Sequence, residues 1–266
     1  MLVRWYNTDG VIMIDQLHIL QTDVLLDGRR PREGAIELIR FFHEENIPYL
    51  ILSELSGRNR AQLADLFESC GFPRIYDHRF YTSAMAAVDW LMAYEPERRT
   101  VEYLGGSAIR SAIEVSGLRL SHLDAGALFL GLDRNLTYDD YSEALQTLLG
   151  GAILLSTDSR RTIRLEGREV IGNGSIAKMF EYAAGIRAAE FGHGAVNGLR
   201  MALRYLRLEP EDVLMVGNDF EKDIRPAVEL HMPSVYVTEG GSLDNLDISE
   251  ECHPDFIVGD LLGLTR

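Results

Sequence analysis

Two spacings of apolar residues alternate along this chain, and each predicts one kind of secondary structure. Continuous apolar runs of strand length are followed by longer segments such as 34–45, where Ile36, Ile39 and Phe42 share one helical face. Continuous apolar runs are typical of parallel strands that are buried on both faces. Such strands are predicted at 2–6, 48–53, 212–216 and 234–238. The alternation therefore predicts an α/β fold with a doubly wound parallel sheet.

A polar break at 95–99 separates the first of these segments from a middle region with its own pattern. After the break, strand-like runs again alternate with helical segments. In chain order these segments are 100–104, 108–116, 127–132, 140–149, 152–156 and 174–184. We therefore predict two domains, with 1–97 and 189–266 forming the core and 98–188 forming a smaller α/β domain inserted into it.

The charge balance narrows the range of partners. The 266 residues carry a formal net charge of -15, and a field of this sign repels nucleic acids and anionic membrane surfaces. Cys70 and Cys252 fit no metal-ligand spacing, which favours free thiols in a reducing compartment. No apolar run approaches the roughly 20 residues of a membrane-spanning helix, and no signal-peptide pattern opens the chain. We therefore expect a cytoplasmic protein that binds neither nucleic acid nor membrane.

Polar residues with chemical potential follow several predicted core strands. In an open parallel sheet, ligands bind beyond the carboxyl ends of the strands, so these residues are expected to surround one cleft. They are Asn7-Thr8-Asp9-Gly10, Ser53-Glu54, Gly192-His193-Gly194, and Gly217-Asn218-Asp219 with Asp223.

The order of these motifs resembles the phosphatases of the haloacid dehalogenase superfamily. Members carry Asp-x-Asp-Gly after the first strand and Ser or Thr after the second, then a Lys, and then Gly-Asp with a further Asp. Other stretches are similar to the capped sugar-phosphatase and 4-nitrophenyl-phosphatase branch, subclass IIA. These stretches are 81–87, 131–138, 172–175 and 214–217. The resemblance implies a Rossmann-like core with an inserted cap, Mg²⁺ as cofactor and small phosphomonoesters as substrates.

The resemblance also implies a role for each candidate residue. Asp9 takes the acid/base position and Ser53 the phosphate-binding hydroxyl position, although a Ser after a strand can also be a helix N-cap. His193 stands at the Lys position. The implied Mg²⁺ ligands are Asn7, Asp9, Asn218, Asp219 and Asp223.

Four departures from the family pattern bear on catalysis. Asn7 stands at the nucleophile position and has no anionic oxygen to attack phosphorus. Asn218 removes a metal carboxylate, and His193 is shorter than Lys and only partly charged. Glu54 would repel a phosphoryl group if it faced the cleft, or it could turn outward and pair with an arginine.

The inserted domain offers a substrate-binding loop. Ser156-Thr157-Asp158 follows a predicted strand and is similar to the loop that faces the core in capped family members. Ordinary turn residues would account for the same three residues.

These features favour a phosphatase-like hydrolase whose catalysis is weak or lost and whose Mg²⁺ is weakly bound or absent. One alternative is a non-catalytic ligand-binding or structural protein on the same fold. Another is an active phosphatase that carries an engineered Asp-to-Asn exchange at position 7. The expected partner is a small phosphorylated molecule or a related ligand, and a homo-oligomer is compatible with the sequence.

Overall fold

A computed structural model describes residues 5–7, 10–12, 16–55, 57–165, 167–192, 194–241 and 252–265. The strands are β1 (Trp5–Asn7), β2 (Gly10–Ile12), β3 (Leu17–Gln21), β4 (Leu26–Asp27), β5 (Arg30–Pro31), β6 (Tyr49–Ser53), β7 (Phe80–Thr82), β8 (Thr100–Leu104), β9 (Arg119–Leu120), β10 (Ala127–Leu130), β11 (Ile153–Ser156), β12 (Thr162–Leu165), β13 (Arg168–Ile171), β14 (Ala188–Glu190), β15 (Val213–Gly217), β16 (Ser234–Val237) and β17 (Phe256–Val258). The α-helices are α1 (Thr22–Leu25), α2 (Ala35–Glu44), α3 (Arg60–Ser69), α4 (Ser83–Tyr94), α5 (Ser107–Ser116), α6 (Tyr138–Leu149), α7 (Asn173–Ala184), α8 (Val196–Leu206) and α9 (Arg225–Glu229). Short 3-10 helices at Asp77–Arg79, Pro210–Asp212 and Leu261–Thr265 and a π-helix at Phe220–Ile224 complete the regular structure.

A six-stranded sheet with the strand order β17-β16-β15-β3-β6-β7 confirms the predicted α/β fold class. Its central strand β3 pairs in parallel with β15 on one side and with β6 on the other. The three central strands bury their apolar side chains completely at positions such as Ile19, Ile51 and Val216. Burial on both faces explains why these strands read as continuous apolar runs.

The prediction that the run 2–6 supplies a strand of this sheet is wrong. β1 instead pairs antiparallel with β2 in a separate two-stranded sheet, with Asn7 opposite Gly10. This pairing is the register of a β-hairpin. The central position belongs to β3, which begins ten residues after Asn7.

Helix α2 covers the sheet with Leu38, Ile39 and Phe42 buried. Its N-cap Gly34 has a φ of +78°, and a Cβ there would lie 2.7 Å from the backbone nitrogen of Leu262. Glycine at this position therefore allows the C-terminal 3-10 helix to approach the start of α2.

A second, five-stranded sheet has the order β14-β11-β10-β8-β9, and its four strand pairings are all parallel. Its core includes Leu128, Leu154 and Phe180. The hairpin β12–β13 is antiparallel and separate from this sheet.

The chain divides into two compact units. Unit 1 comprises Met1–Leu52, Ala61–Tyr81 and Leu203–Arg266, and unit 2 comprises Ser53–Arg60 and Thr82–Ala202. Compactness thus assigns α4 to the unit that contains the five-stranded sheet, whereas the sequence pattern places the boundary at 98. The division at 98 and 188 stays a prediction.

Candidate active site

The carboxyl ends of the central strands carry polar residues, as a ligand site in a parallel sheet requires. β3 ends at Gln21, and α1 follows at once with Thr22 and Asp23. β15 ends at Gly217, directly before Asn218. Since β3 and β15 are paired in parallel, Gln21 and Gly217 lie at the same edge of the sheet.

The structure brings some of the predicted residues to this edge and leaves others elsewhere. Asn218, Asp219 and Asp223 follow β15 as expected. Asn7 lies in the separate hairpin, so its assignment to the end of a core strand is corrected, and the residue found at the end of the central strand is Gln21. Asp9 and His193 lie outside the described residues.

The loop after β15 is built around a buried carboxylate. Asp223 is fully buried, and its Oδ2 accepts hydrogen bonds from the backbone N–H groups of Asn218 and Asp219, each at 2.9 Å. A Cβ at Gly217 would lie 2.1 Å from the Asp223 Cβ, so glycine is required for this close approach. Asp223 is therefore an anchor for the loop backbone.

Asp219 is engaged by the helix that follows it. Its Oδ1 accepts a hydrogen bond from the Lys222 backbone N–H, and its Oδ2 lies 2.6 Å from the Lys222 ammonium. Burial lowers the pKa of Lys222, but the hydrogen bond and charge of Asp219 outweigh burial, so the pKa is raised overall. Lys222 is consequently charged at neutral pH.

The loop after β3 is tied down through its backbone. The Thr22 hydroxyl donates to the Leu52 carbonyl oxygen at 2.8 Å and links the end of β3 to β6. The Asp23 carbonyl oxygen accepts a hydrogen bond from Arg32 Nε at 2.6 Å, and Asn218 Nδ2 lies 3.5 Å from the same oxygen.

One carboxylate, that of Glu239, contacts both Arg32 and Asn218. Its Oε2 lies 2.5 Å from Arg32 Nη1, and its Oε1 accepts a hydrogen bond from Asn218 Nδ2 at 2.8 Å. Glu239 follows β16 with a φ of +53°, a region that non-glycine residues seldom adopt. Sequence reasoning missed both Arg32 and Glu239, which are 207 residues apart.

The charge around this edge is predominantly negative. Burial raises the pKa of the Tyr236 hydroxyl, and the carboxylates of Asp219, Glu239 and Asp223 raise it further. A phosphate dianion would meet repulsion from the same three carboxylates.

These residues do not fit a bound Mg²⁺, which requires a shell of oxygen ligands. The Asp23 carbonyl oxygen already faces nitrogen donors, and Gln21 and Asn218 carry no charge. Across the part of the chain that the structure describes, no group of three or more His, Cys, Asp or Glu residues could hold a metal ion.

Ser53 and the residues that follow it belong to unit 2. Ser53 ends β6 and is buried, and its Oγ accepts a hydrogen bond from the Leu55 backbone N–H at 3.3 Å. Glu54 is half-buried. Their predicted contacts with a phosphoryl group stay predictions.

The predicted substrate loop of unit 2 is fully buried. Thr157 donates to the Leu130 carbonyl oxygen, and the Asp158 carboxylate binds Arg160 at 2.6 Å. Asn173 Nδ2 donates to Ser156 Oγ at 3.0 Å and to the Asp158 carbonyl oxygen at 2.9 Å. These contacts stabilise the loop from inside unit 2, and contact of Ser156, Thr157 and Asp158 with a substrate stays a prediction.

The central strand also contains a buried histidine. The His18 ring packs against Phe42 with the ring centroids 4.8 Å apart, and its Nδ1 has no partner among the described residues. Burial lowers the pKa of His18 to about 4, although backbone hydrogen bonds with Gln16 and Pro48 oppose the shift. His18 is therefore neutral at physiological pH and packs as a core side chain.

Comparison with family models gives two matches of one kind. A haloacid dehalogenase-like hydrolase model matches residues 20–119, and a HAD-hydrolase-like model matches residues 197–264. The first match begins within β3, and the second ends within the C-terminal 3-10 helix.

Similar sequences include named phosphatases. The 5'-nucleotidase YutF of Bacillus subtilis is 27% identical over 216 residues, which is 81% of this chain and 84% of that protein. An acid sugar phosphatase of Staphylococcus saprophyticus is 28% identical over 235 residues, which is 88% of this chain and 90% of that protein.

Similar solved structures share the fold. A p-nitrophenyl phosphatase from Archaeoglobus fulgidus has a TM-score of 0.83 at 21% identity and covers 94% of this chain and 98% of its own. NagD from E. coli K-12 has a TM-score of 0.83 at 22% identity, with coverages of 92% and 96%. In the part of the chain that the structure describes, no helix is long and apolar enough to cross a membrane.

Proposed function

Because this chain belongs to the haloacid dehalogenase superfamily, we propose that it is a phosphatase-like protein in which hydrolysis by the aspartyl-phosphate route is weak or lost. By lineage its ligand is a small phosphorylated molecule or a related, less anionic compound. The acid sugar phosphatase and 5'-nucleotidase names of its relatives indicate this class of ligand.

The observation that carries the proposal is Gln21 at the carboxyl end of the central strand. In the family pattern Asp-x-Asp stands at the end of the first core strand, and here Gln21-x-Asp23 begins at the last residue of β3. The start of the family match at residue 20 supports this alignment over the one at Asn7. Glutamine has no anionic oxygen, so no aspartyl-phosphate can form at this position.

Two further positions support the same conclusion. Asn218 stands where the family carries a metal-binding Asp, and its side-chain amide donates a hydrogen bond to Glu239. His193 stands at the Lys position, where an imidazole supplies less positive charge. Asp23 is a carboxylate in the acid/base position, but it has no nucleophile to assist.

The alignment of Gln21 with the nucleophile position bears on the two alternatives that the sequence left open. An engineered Asp-to-Asn trap at position 7 no longer has support, because Asn7 is not at the end of a core strand. The alternative of a non-catalytic binding protein keeps support from a pocket of about 520 Å³ in unit 1. Arg30, Arg32, Glu239 and Asp260 contribute to its lining, which suits a ligand with both positive and negative groups.

The test is hydrolysis of 4-nitrophenyl phosphate and of a panel of sugar phosphates, with Mg²⁺ present. We expect kcat/KM at least about 10³-fold below that of the acid sugar phosphatase of S. saprophyticus assayed in parallel, because the nucleophile is missing. Gln21→Ala should leave any residual rate unchanged.

A matched pair of carboxylate variants makes the test decisive. Asp23→Ala removes the acid/base candidate, and Glu44→Ala removes an exposed carboxylate at the last residue of α2, outside the pocket. Mg²⁺-dependent turnover within tenfold of the relative, lost in Asp23→Ala and kept in Glu44→Ala, would refute the proposal.

A further inference from the structure

We propose that the Arg32 guanidinium is a built-in cation that replaces Mg²⁺ at the carboxyl edge of the central strands. This inference rests on the proposed function, because it takes Gln21, Asp23 and Asn218 as the family's metal-binding positions. It goes further by assigning the positive charge of the site to a residue of the chain.

The carbonyl oxygen of Asp23 is the key atom. The family pattern gives a metal one backbone carbonyl oxygen from the second Asp of the first motif, together with carboxylates. Here that carbonyl oxygen accepts Arg32 Nε at 2.6 Å, a distance within the range of charge-assisted hydrogen bonds. A guanidinium at this distance leaves no room for a cation on the same side of the oxygen.

The groups that contact Arg32 carry the charge that balances one monovalent cation. Gln21 and Asn218 are neutral, and Glu239 supplies the single negative charge that contacts the guanidinium at 2.5 Å. A divalent ion would need more negative charge, whereas one guanidinium is balanced by one carboxylate. Asn218 donates to the same Glu239, so the amide acts as a hydrogen-bond donor where a metal would need an acceptor.

The backbone at Glu239 supports a specific role for this pair. A non-glycine residue at φ +53° is strained, and a surface ion pair seldom compensates for such strain by itself. Glu239 nevertheless adopts this conformation and contacts both Arg32 and Asn218. The ordinary alternative is a half-exposed salt bridge that stabilises the loop and has no influence on metals.

Metal titration of purified variants distinguishes the two interpretations without an activity assay. The variants are Gln21→Asp/Asn218→Asp, which restores two carboxylates, and the same protein with Arg32→Met added. The control replaces Arg30→Met instead, since Arg30 lines the same pocket. Binding is measured by calorimetry with Mg²⁺ and by electron paramagnetic resonance with Mn²⁺, and circular dichroism confirms that each variant folds.

We expect no Mg²⁺ binding by the unaltered chain up to about 10 mM. The protein with Arg32→Met should bind Mg²⁺ at least about tenfold more tightly than the two-carboxylate protein, and the Arg30→Met control should not. Arg32→Lys in the same background should keep binding weak, because it retains the positive charge.

Two outcomes would overturn the inference: Mg²⁺ binding by the unaltered chain with a Kd below about 1 mM, or equal affinity with and without Arg32. The proposed function can fail separately, because efficient hydrolysis by the unaltered chain is measured with a phosphate ester. Hydrolysis that persists in excess EDTA would contradict the proposed function and leave the assignment of Arg32 in place.

Discussion

The loop after β15 and the loop after β3 begin at the same edge of the sheet, yet different interactions stabilise them. The β15 loop is stabilised by Asp223, a fully buried carboxylate that accepts hydrogen bonds from two backbone N–H groups. The β3 loop is stabilised by Arg32, which donates a hydrogen bond to the Asp23 carbonyl oxygen. The Arg32 side chain is 27% exposed, and the side chain of its partner Glu239 is 37% exposed.

Charged residues therefore have two different roles at this edge of the sheet. A buried carboxylate that accepts hydrogen bonds from backbone amides stabilises the loop, whatever chemistry the edge performs. A half-exposed ion pair adds little to stability, but it decides which ions can approach the Asp23 carbonyl oxygen. Residues that hold the backbone and residues that face a ligand can therefore change independently.

The sharpest test of this comparison is Asp223→Ala. Removal of the carboxylate leaves the N–H groups of the half-buried Asn218 and Asp219 without this acceptor, and we expect a loss of about 3 kcal/mol in the free energy of unfolding. Urea denaturation followed by circular dichroism measures the change.

Glu221→Ala is the control, since Glu221 is an exposed carboxylate of the same π-helix that pairs with Arg225. It should cost less than about 1 kcal/mol. Equal losses from Asp223→Ala and Glu221→Ala would mean that the loop does not depend on its buried anchor.

The strand before the β3 loop adds a pH dependence through His18. Its pKa is about 4 in the folded protein and 6.5 in the unfolded chain, so both states are neutral above pH 6.5. As the pH falls below 6.5, the unfolded chain takes up a proton that the folded protein does not, and stability decreases. Between pH 7.5 and pH 5 the unaltered protein should lose about 2 kcal/mol relative to His18→Phe.

His18→Phe keeps an aromatic ring against Phe42 and removes the titrating group. The control is His231→Asn, because His231 is exposed and has a φ of +57° that asparagine tolerates. Stability curves for His18→Phe and the unaltered protein that stay parallel across this pH range would argue against a neutral buried His18.

The smallest effect on stability is expected for Arg32→Met. The ion pair with Glu239 is half-exposed, so its loss should change the free energy of unfolding by less than about 1 kcal/mol at low salt, and by less still at 1 M salt. A loss comparable to that of Asp223→Ala would show that Arg32 is a structural anchor as well, and the contrast between the loops would disappear.

Much of the core sheet could be predicted from the sequence because its strands are buried on both faces. β6, β15 and β16 read as continuous apolar runs, and the polar residues after β15 fall where the pattern puts them. Asp223 and Gly217 carry an additional signal, because their close approach fixes both residue types.

The central strand was missed for a physical reason. β3 is short and begins and ends with polar or half-buried residues, and its following motif, Gln21-x-Asp23-Val24, lacks the first Asp and the Gly of the family pattern. Asn7-x-Asp9-Gly10 matches the family motif at more positions, but Asp-Gly is also a hairpin signal. The run Ile19-Leu20, placed shortly before α2, was the available sign of a buried strand.

The contacts of Arg32 could not be predicted from the sequence. Arg32 and Glu239 are 207 residues apart, and nothing in the local pattern of either residue indicates a partner. Only the sheet order, which places β16 beside β15 and β15 beside β3, brings the loops after these strands together.

The same sheet order sets a delay during synthesis on the ribosome. β3 needs β15 along one of its sides, but about 190 residues separate Gln21 from Val213, so at typical rates of translation β3 waits roughly 10 to 40 s for this neighbour. Until then one side of the future central strand offers unpaired N–H and C=O groups, as an edge strand does. Protection of the nascent chain is therefore needed most while the inserted region is being made, before the last strands of the sheet have emerged.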